Sequence, residues 1–381
     1  MTARLVPALT LGAFVVLASV SHAQDAAAPG PAPAAAVRGS SERSGFAFAF
    51  GLERLHDDNI LQMTGANLAR FDANPDPPRF AITTVDDDVN GVHAALRWRA
   101  HPWVRRETRI TGTFDFDDFV RNDVKDWGQY GLTALQQLTA SRRNLLSLRL
   151  AWNRIPRYYL GEITDADDSF AAGTRIRRGL NYAQDAYGVR LTQGLERGRY
   201  EIAGSWERKS RDYGSHFEER DNHNDSWQVD AGARPFRGSG VTLQATYIAG
   251  RLAALGDLAS SPIVDADISY DHSGLGGSVS VPWGRGGSSG RLDASVMPEK
   301  RTYTTADKFD LTRYGRVNQR LDTRVSVTQS LAGPLDVRLE YERLTSRGSY
   351  TSGLEVPEEV TDFTQNRIGI SLRARLDMPG R

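Results

Sequence analysis

Residues 320–344 restrict the fold most, because they read as two alternating strands joined by a turn. They run RLDTRVSVTQSL, then Ala332-Gly333-Pro334, then LDVRLEYERL. In the second run, four apolar residues alternate with four charged ones: Leu335, Val337, Leu339 and Tyr341 with Asp336, Arg338, Glu340 and Glu342. A period of two puts the two sets on opposite faces of a strand, and the Gly-Pro break turns the chain. The segment predicts an antiparallel hairpin with one apolar and one charged face.

A soluble sandwich shows the same alternation in shorter strands, so an export signal is needed to choose between the two folds. Arg4 precedes a mostly apolar run over residues 5–20, and Ser21-His22-Ala23 follows it. This is the charge, apolar core and small-residue cleavage pattern of a secretory signal. We predict a signal peptide over residues 1–23. A retained membrane anchor is the alternative, but the apolar run is short for a membrane span.

Composition narrows the remaining choices. The chain contains no Cys, which excludes disulfides and thiolate chemistry. Its formal net charge is zero, so no nucleic-acid partner is expected. Residues 24–43 are rich in Ala and Pro and predict a disordered periplasmic leader. For residues 44–381, long alternating strands without an apolar helix predict an all-β fold, a transmembrane antiparallel up-and-down β-barrel in the outer membrane of a Gram-negative bacterium.

The alternating segments suggest about fourteen strands, with twelve or sixteen still open. Short turns are expected near residues 101, 141, 196, 236, 285 and 332. Longer connections are expected at 56–89, 121–126, 157–180, 214–224, 252–264, 304–316 and 349–361. Outer-membrane barrels have short periplasmic turns and longer extracellular loops, and an even strand count brings both chain ends to one side. Gly276-Gly277 suggests a β-bulge.

Side chains on the two faces of each strand then have different surroundings. The apolar faces are expected to contact lipid, where unpaired charge is costly. Aromatic residues on these faces could form interfacial girdles, or could simply reflect strand propensity: Tyr200, Trp206, Trp227, Tyr247 and Tyr341. The charged faces line the lumen. The candidate solute-binding residues there are Arg149, Arg190, Arg324, Arg338, Arg373, Asp322 and Glu340.

The lumen charges permit two interpretations. One is a pathway for polar solutes, because rings of charged side chains select ions. The other is a barrel closed by ion pairs that passes nothing, for example with Arg324 near Asp336 or Arg338, and Arg373 near Glu340.

Catalytic and metal sites have little support in the sequence. His56 stands beside Asp57 and Asp58, and Asp271 beside His272, but no nucleophile elbow or metal-ligand spacing accompanies them. Acidic residues at 86–88 and 165–168 have the oxygen ligands that Ca²⁺ uses, although solvated acidic loops are the simpler interpretation. We therefore assign no catalytic residue, no metal and no cofactor, and expect the protein not to be an enzyme.

The first strand carries a family resemblance. Residues 45–64, GFAFAFGLERLHDDNILQMT, resemble the start of the beta-barrel porins found with exopolysaccharide operons, whose first strand ends in a step like Asp57-Asp58-Asn59. The same step resembles the barrel part of surface lipoprotein assembly modulators, which carry a helical-repeat domain ahead of the barrel. The porin resemblance implies a channel or accessory export pore for polar solutes, with surface polysaccharide as one such solute. The alternative is a non-conducting barrel with a structural or assembly role.

The predicted outer-membrane barrel also implies the partners of the protein. Outer-membrane lipid and lipopolysaccharide would surround the barrel. The spacing Arg367-x-Gly369-x-x-Leu372-x-Ala374 partly resembles the C-terminal signal that is read by the barrel-assembly machinery.

Overall fold

The computed structural model describes residues 45–73, 81–103, 106–139, 143–165, 176–236, 238–255, 267–284, 289–305, 313–331, 334–350 and 362–379. The expected signal peptide and leader lie outside these residues and stay predictions. None of the helices in the described ranges is long and apolar enough to cross a membrane.

Fourteen antiparallel strands close into one barrel, which confirms the predicted fold and strand number. The strands are β1 (Gly45–Asp57), β2 (Asp87–Trp103), β3 (Arg106–Phe119), β4 (Trp127–Gln137), β5 (Leu145–Asp165), β6 (Ile176–Leu195), β7 (Tyr200–Asp212), β8 (Asn222–Ala233), β9 (Thr242–Ala254), β10 (Tyr270–Trp283), β11 (Gly290–Tyr303), β12 (Arg316–Ser330), β13 (Leu335–Tyr350) and β14 (Phe363–Pro379). Each strand pairs with the next along the chain, and β1 pairs with β14 from Gly45–Pro379 to Asp57–Arg367. Closure removes every sheet edge, so the backbone groups of the strands pair within the protein.

The outer surface is apolar because each strand alternates. In β1, Phe46, Phe48, Phe50 and Leu52 are exposed, while the residues between them are shielded on the other face. The predicted outward aromatic residues Tyr200, Trp227, Tyr247 and Tyr341 are all exposed, and Trp206 packs against Trp227 with ring centroids 6.3 Å apart. An apolar outer face on a closed barrel is the arrangement that lipid requires.

Two predicted boundaries were wrong at the end of the barrel that carries the long connections, called here the long-loop end. Residues 157–180 were expected to be a loop, yet β5 and β6 continue pairing from Tyr158–Tyr182 to Asp165–Ile176, with two register shifts. Asp167 and Asp168, two of the acidic residues considered as Ca²⁺ ligands, lie outside the described residues. Charged residues suggested a loop, but strands that extend past the membrane are solvated and need no apolar face.

The first long connection also contains an unpredicted helix, α1 (Gly65–Asp72), which Thr64 caps by accepting a hydrogen bond from the Asn67 amide at 3.3 Å. An apolar cluster beside it joins the connection to the strand ends: Ile60, Met63, Ile82, Val89, Phe119 and Tyr159, with Leu68 and Phe71 of α1 packed against it. This cluster roofs the mouth of the barrel above β2–β5.

The expected bulge in β10 is absent. Gly274 pairs with Glu299 and Gly277 with Val296, so the register is the same on both sides of Gly276. A Cβ at Gly274 would lie 2.5 Å from the Pro298 carbonyl oxygen, and one at Gly276 would lie 2.4 Å from that of Val296. The glycines therefore allow close approach of β11 without an inserted residue.

Candidate functional site

The lumen is the candidate site, and all seven predicted solute-binding residues lie on its face of the barrel. Arg149 is on β5, Arg190 on β6, and Asp322 and Arg324 are on β12. Arg338 and Glu340 are on β13, and Arg373 is on β14. Each alternates with an exposed apolar residue of its strand, for example Leu150, Val189, Val325, Leu339 and Leu372. The structure does not gather them into one cluster: five lie on the adjacent strands β12–β14, and the other two lie on β5 and β6.

The lumen face of β11–β13, called here the paired wall, is held by ion pairs. The Arg324 guanidinium lies 3.2 Å from Asp322 and 2.6 Å from Glu342. The expected neighbours Asp336 and Arg338 are not its partners, since the register sets Arg324 opposite Glu342 and Asp336 opposite Ser330. Arg338 pairs instead with Glu340 on its own strand, 2.5 Å away.

The most deeply buried pair of this wall was not among the predicted residues. Glu299 and Arg301 of β11 are 2.7 Å apart, and they are 7% and 5% exposed. The Arg301 guanidinium also stands over the Tyr270 ring, 5.0 Å from its centroid. A charge this buried is stable only with a partner. The alternation of Met297, Glu299 and Arg301 could have revealed it, but Pro298 obscured the pattern.

Cations stacked on aromatic rings continue around the lumen toward the long-loop end. Arg316 lies over Tyr303 at 3.8 Å, and Arg211 over Tyr182 at 5.0 Å. Lys125 stands 4.6 Å from the Tyr158 ring. Such stacking stabilises desolvated cations, so these side chains form part of the wall.

A second polar network joins β1, β2 and β3. His93 lies 2.9 Å from both Glu53 and Asp115, one carboxylate at each ring nitrogen. Across the barrel, Asp230 pairs with Arg190 at 2.5 Å and accepts a hydrogen bond from the Thr246 hydroxyl at 2.6 Å. Most lumen charges of the described residues are therefore already satisfied by protein groups.

The lumen face of β4–β6, called here the small-residue wall, is different. Its side chains are mostly short: Gly131, Thr133, Ser147, Ala151, Gly188 and Thr192. Arg149 projects from it, directly opposite Arg190 in the register. The paired wall, in contrast, carries large charged side chains such as Glu299, Arg301 and Arg324. Fourteen strands enclose more space than the eight of a barrel whose side chains fill it.

Three lumen arginines form no ion pair with a described carboxylate: Arg97 on β2, Arg149 on β5 and Arg373 on β14. The Nε atoms of Arg97 and Arg149 are buried without a hydrogen-bond acceptor. Each of the three lies in the half of its strand that is nearer the short turns. Buried donors are normally matched, so these guanidinium groups are the lumen positions best suited to an anionic ligand.

The two candidate His–Asp pairs are not formed. His56 faces outward and lies 3.0 Å from Asp88, whereas Asp57 points inward to Arg367. His272 points inward beside Asn224, whereas Asp271 points outward toward Arg251. Adjacent residues of a strand face opposite sides, which explains both separations. Within the described ranges, no group of three or more His and acidic residues could hold a metal ion.

The Asp57-Asp58-Asn59 step closes the barrel seam. Asp57 lies 2.8 Å from Arg367 of β14, and its carboxylate also accepts two hydrogen bonds from the Gln365 amide, at 2.9 and 2.8 Å. The Asn59 amide donates to the Thr364 carbonyl at 3.0 Å. The residues that carry the family resemblance therefore tie the first strand to the last.

Closure, alternation and the apolar exterior are now established together. The chain is an outer-membrane β-barrel. No family model matches it, and no curated protein matches it, so the narrower resemblance to exopolysaccharide-operon porins stays an expectation.

Solved structures with similar folds include several outer-membrane proteins. A bacterial polysaccharide outer membrane secretin has a TM-score of 0.40 and 10% identity, over 86% of this chain and 98% of that one. An anion-selective porin from Comamonas acidovorans has a TM-score of 0.38 and 10% identity, over 87% and 100%. OmpT of Vibrio cholerae has a TM-score of 0.40 and 10% identity, over 88% and 99%. These values are too low to assign a solute.

Proposed function

We propose that this barrel is a channel for polar solutes with a preference for anions, and that the solute passes along the small-residue wall. The observation that carries the proposal is the set of unpaired lumen arginines, Arg97, Arg149 and Arg373. These three guanidinium groups have no ion-pair partner among the described residues, so they can bind a passing anion, and the low-dielectric wall focuses their field on it.

Acidic surface polysaccharide is the solute that the first-strand resemblance suggests. Spaced guanidinium groups bind carboxylates with two parallel hydrogen bonds, and a flexible chain could pass from one arginine to the next. A small organic anion fits the same chemistry, so the solute class is an anionic polar molecule, with a polysaccharide as the specific case to test.

The test is conductance of the refolded barrel in a planar bilayer under a salt gradient. Wild-type protein is expected to conduct, and its reversal potential should have the sign of the Nernst potential of the anion. Changing Arg97, Arg149 and Arg373 together to Gln should move that potential toward cations. The matched control changes the outward arginines Arg154, Arg208 and Arg251 to Gln, which removes equal charge away from the route.

The outcomes separate the alternatives. An assembled wild-type barrel that carries no current would overturn the channel. A triple variant that conducts with an unchanged potential would show that the three arginines do not line the route. Assembly is verified first, by the change in electrophoretic mobility on boiling.

A non-conducting barrel is the second candidate, and a specific observation favours it. The apolar cluster around Ile60, Met63 and Tyr159 roofs one side of the mouth, and Glu299 and Arg301 are almost fully buried in the lumen. If this roof also covers the small-residue wall, deleting residues 65–72 should turn a silent barrel into a conducting one.

A further inference from the structure

The outer face of β10–β13 carries a row of polar side chains close to the long-loop end. Ser273 pairs with Lys300, Lys300 with Gln319, and Gln319 with Arg347, so the four residues lie side by side across four strands. Neighbouring strands are about 4.8 Å apart, which puts Lys300 and Arg347 within reach of one small anion between them. Arg343 lies on the same face of β13, four residues before Arg347.

Apolar residues lie immediately below this row, toward the middle of the barrel. Leu275 is two residues from Ser273 and is 64% exposed, and Leu321 is two residues from Gln319. Together with Tyr341, these side chains line the same cavity as Lys300, Arg343 and Arg347. Met63 and Leu68 of the first long connection and two acidic residues, Glu299 and Asp362, also line it. The basic row therefore stands where the apolar outer band ends, at the depth of lipid headgroups.

Four other outward arginines near this end are neutralised by a carboxylate of a neighbouring strand. Arg54 lies 2.8 Å from Asp88, Arg154 lies 2.9 Å from Asp185, and Arg208 lies 2.7 Å from Asp225. Arg251 lies 3.9 Å from Asp271.

Lys300, Arg343 and Arg347 differ from these, because none of them forms an ion pair within the described part of the chain. Three unmatched cations on one patch of the outer face favour an external anion.

We propose that this patch, defined by Lys300, Gln319, Arg343 and Arg347, binds the phosphate groups of lipopolysaccharide. The long-loop end is the expected extracellular end, and the lipid of that leaflet combines a phosphorylated sugar headgroup with acyl chains. Lysine and arginine bind the phosphate, Gln319 donates between them, and acyl chains pack on Leu275 and Leu321. The proposal concerns the outer face only and is independent of conduction through the lumen.

The test uses the whole refolded barrel in detergent and measures retained lipid by native mass spectrometry. The probes are phosphorylated lipid A, dephosphorylated lipid A, phosphatidylglycerol and inorganic phosphate. The test variant changes Lys300, Arg343 and Arg347 to Gln. The control variant changes Arg154, Arg208 and Arg251 to Gln, three cations of the same face that already have partners.

Wild type and control are expected to retain phosphorylated lipid A, and the test variant should bind it at least about tenfold more weakly. Equal binding of dephosphorylated lipid A by wild type would overturn the proposal, because the acyl chains alone would explain it. An equal loss of lipid A binding in the control variant would also overturn the proposal, because general charge attraction would then explain the binding. If inorganic phosphate or phosphatidylglycerol competes as effectively as lipid A, the assignment of lipopolysaccharide as the ligand is overturned. If the triple variant fails to assemble, Lys300→Gln and Arg347→Gln are measured singly against the same criteria.

Discussion

The two walls of the lumen satisfy their charges in different ways. On the paired wall, Glu299, Arg301 and Arg324 each have an oppositely charged partner. The Glu299 and Arg301 side chains of β11 are 2.7 Å apart, and Arg324 of β12 lies 2.6 Å from Glu342 of β13. On the small-residue wall, Arg149 stands among short side chains and faces Arg190, another cation.

On the proposed function, this difference would divide stability and selectivity between the two sides of the barrel. The Arg324–Glu342 pair joins β12 to β13, the other pairs lie within single strands, and paired charges present little net potential to a solute. An unpaired guanidinium among small residues contributes little to stability but leaves both space and potential for an anion. Each prediction below tests this division.

The largest effect is a loss of stability, which is expected from Arg301→Ala. Glu299 would remain buried without its partner, at a cost of about 3–5 kcal/mol in the free energy of unfolding. Urea unfolding of the barrel in lipid vesicles measures this change in the free energy of unfolding. Arg149→Ala is the control and should change stability by no more than about 0.5 kcal/mol. Equal losses in the two variants would show that the walls do not differ in stability.

A smaller loss is expected from Asp57→Ala at the seam next to the paired wall. Gln365 would keep only the Asn59 carbonyl as an acceptor, at 3.0 Å, and Arg367 keeps Glu342 at 3.8 Å, so the expected cost is about 1–3 kcal/mol. The same unfolding assay applies. Asp58→Ala removes an exposed carboxylate of the same step and should cost less. A greater loss for Asp58 would contradict the assignment of Asp57 as the main seam contact.

Ala151→Trp tests whether the route follows the small-residue wall. A large ring there would narrow the lumen, and single-channel conductance should fall roughly twofold. Val327→Trp puts the same ring on the outer face of β12, where lipid accommodates it, and conductance should be unchanged. If Ala151→Trp assembles and conducts like wild type, solute does not pass beside β5.

The smallest effect is expected from Glu340→Gln, which frees Arg338 on the paired wall and so imitates Arg149. One positive charge is gained in the lumen, and the reversal potential should shift slightly toward anions. The shift should disappear near 1 M salt, where screening acts over about 3 Å. Gln in place of the outward-facing Asp225 adds the same charge outside the lumen and should leave the potential unchanged. A shift toward cations would contradict the lumen position of Glu340.

The sequence alone determined which face each strand residue occupies. Alternation over residues 320–344 and the other strands predicted fourteen strands, the closed barrel, the outward aromatic residues and the inward face of the seven candidate residues, whose solute binding stays a prediction. This was possible because a period of two follows from backbone geometry and needs no information about neighbours.

Only the tertiary structure decided which residues meet. Arg324 contacts Glu342 rather than Asp336 because the β12–β13 register sets it there, and the sequence does not display register. Asp57 and Arg367 are 310 residues apart and meet only when β1 closes on β14. The extension of β5 and β6, the helix α1 and the unmatched state of Arg149 depend likewise on contacts between strands. Charge pairing is a property of distance in space, whereas alternation is a property of one strand, and this is why the faces were predictable and the two walls were not.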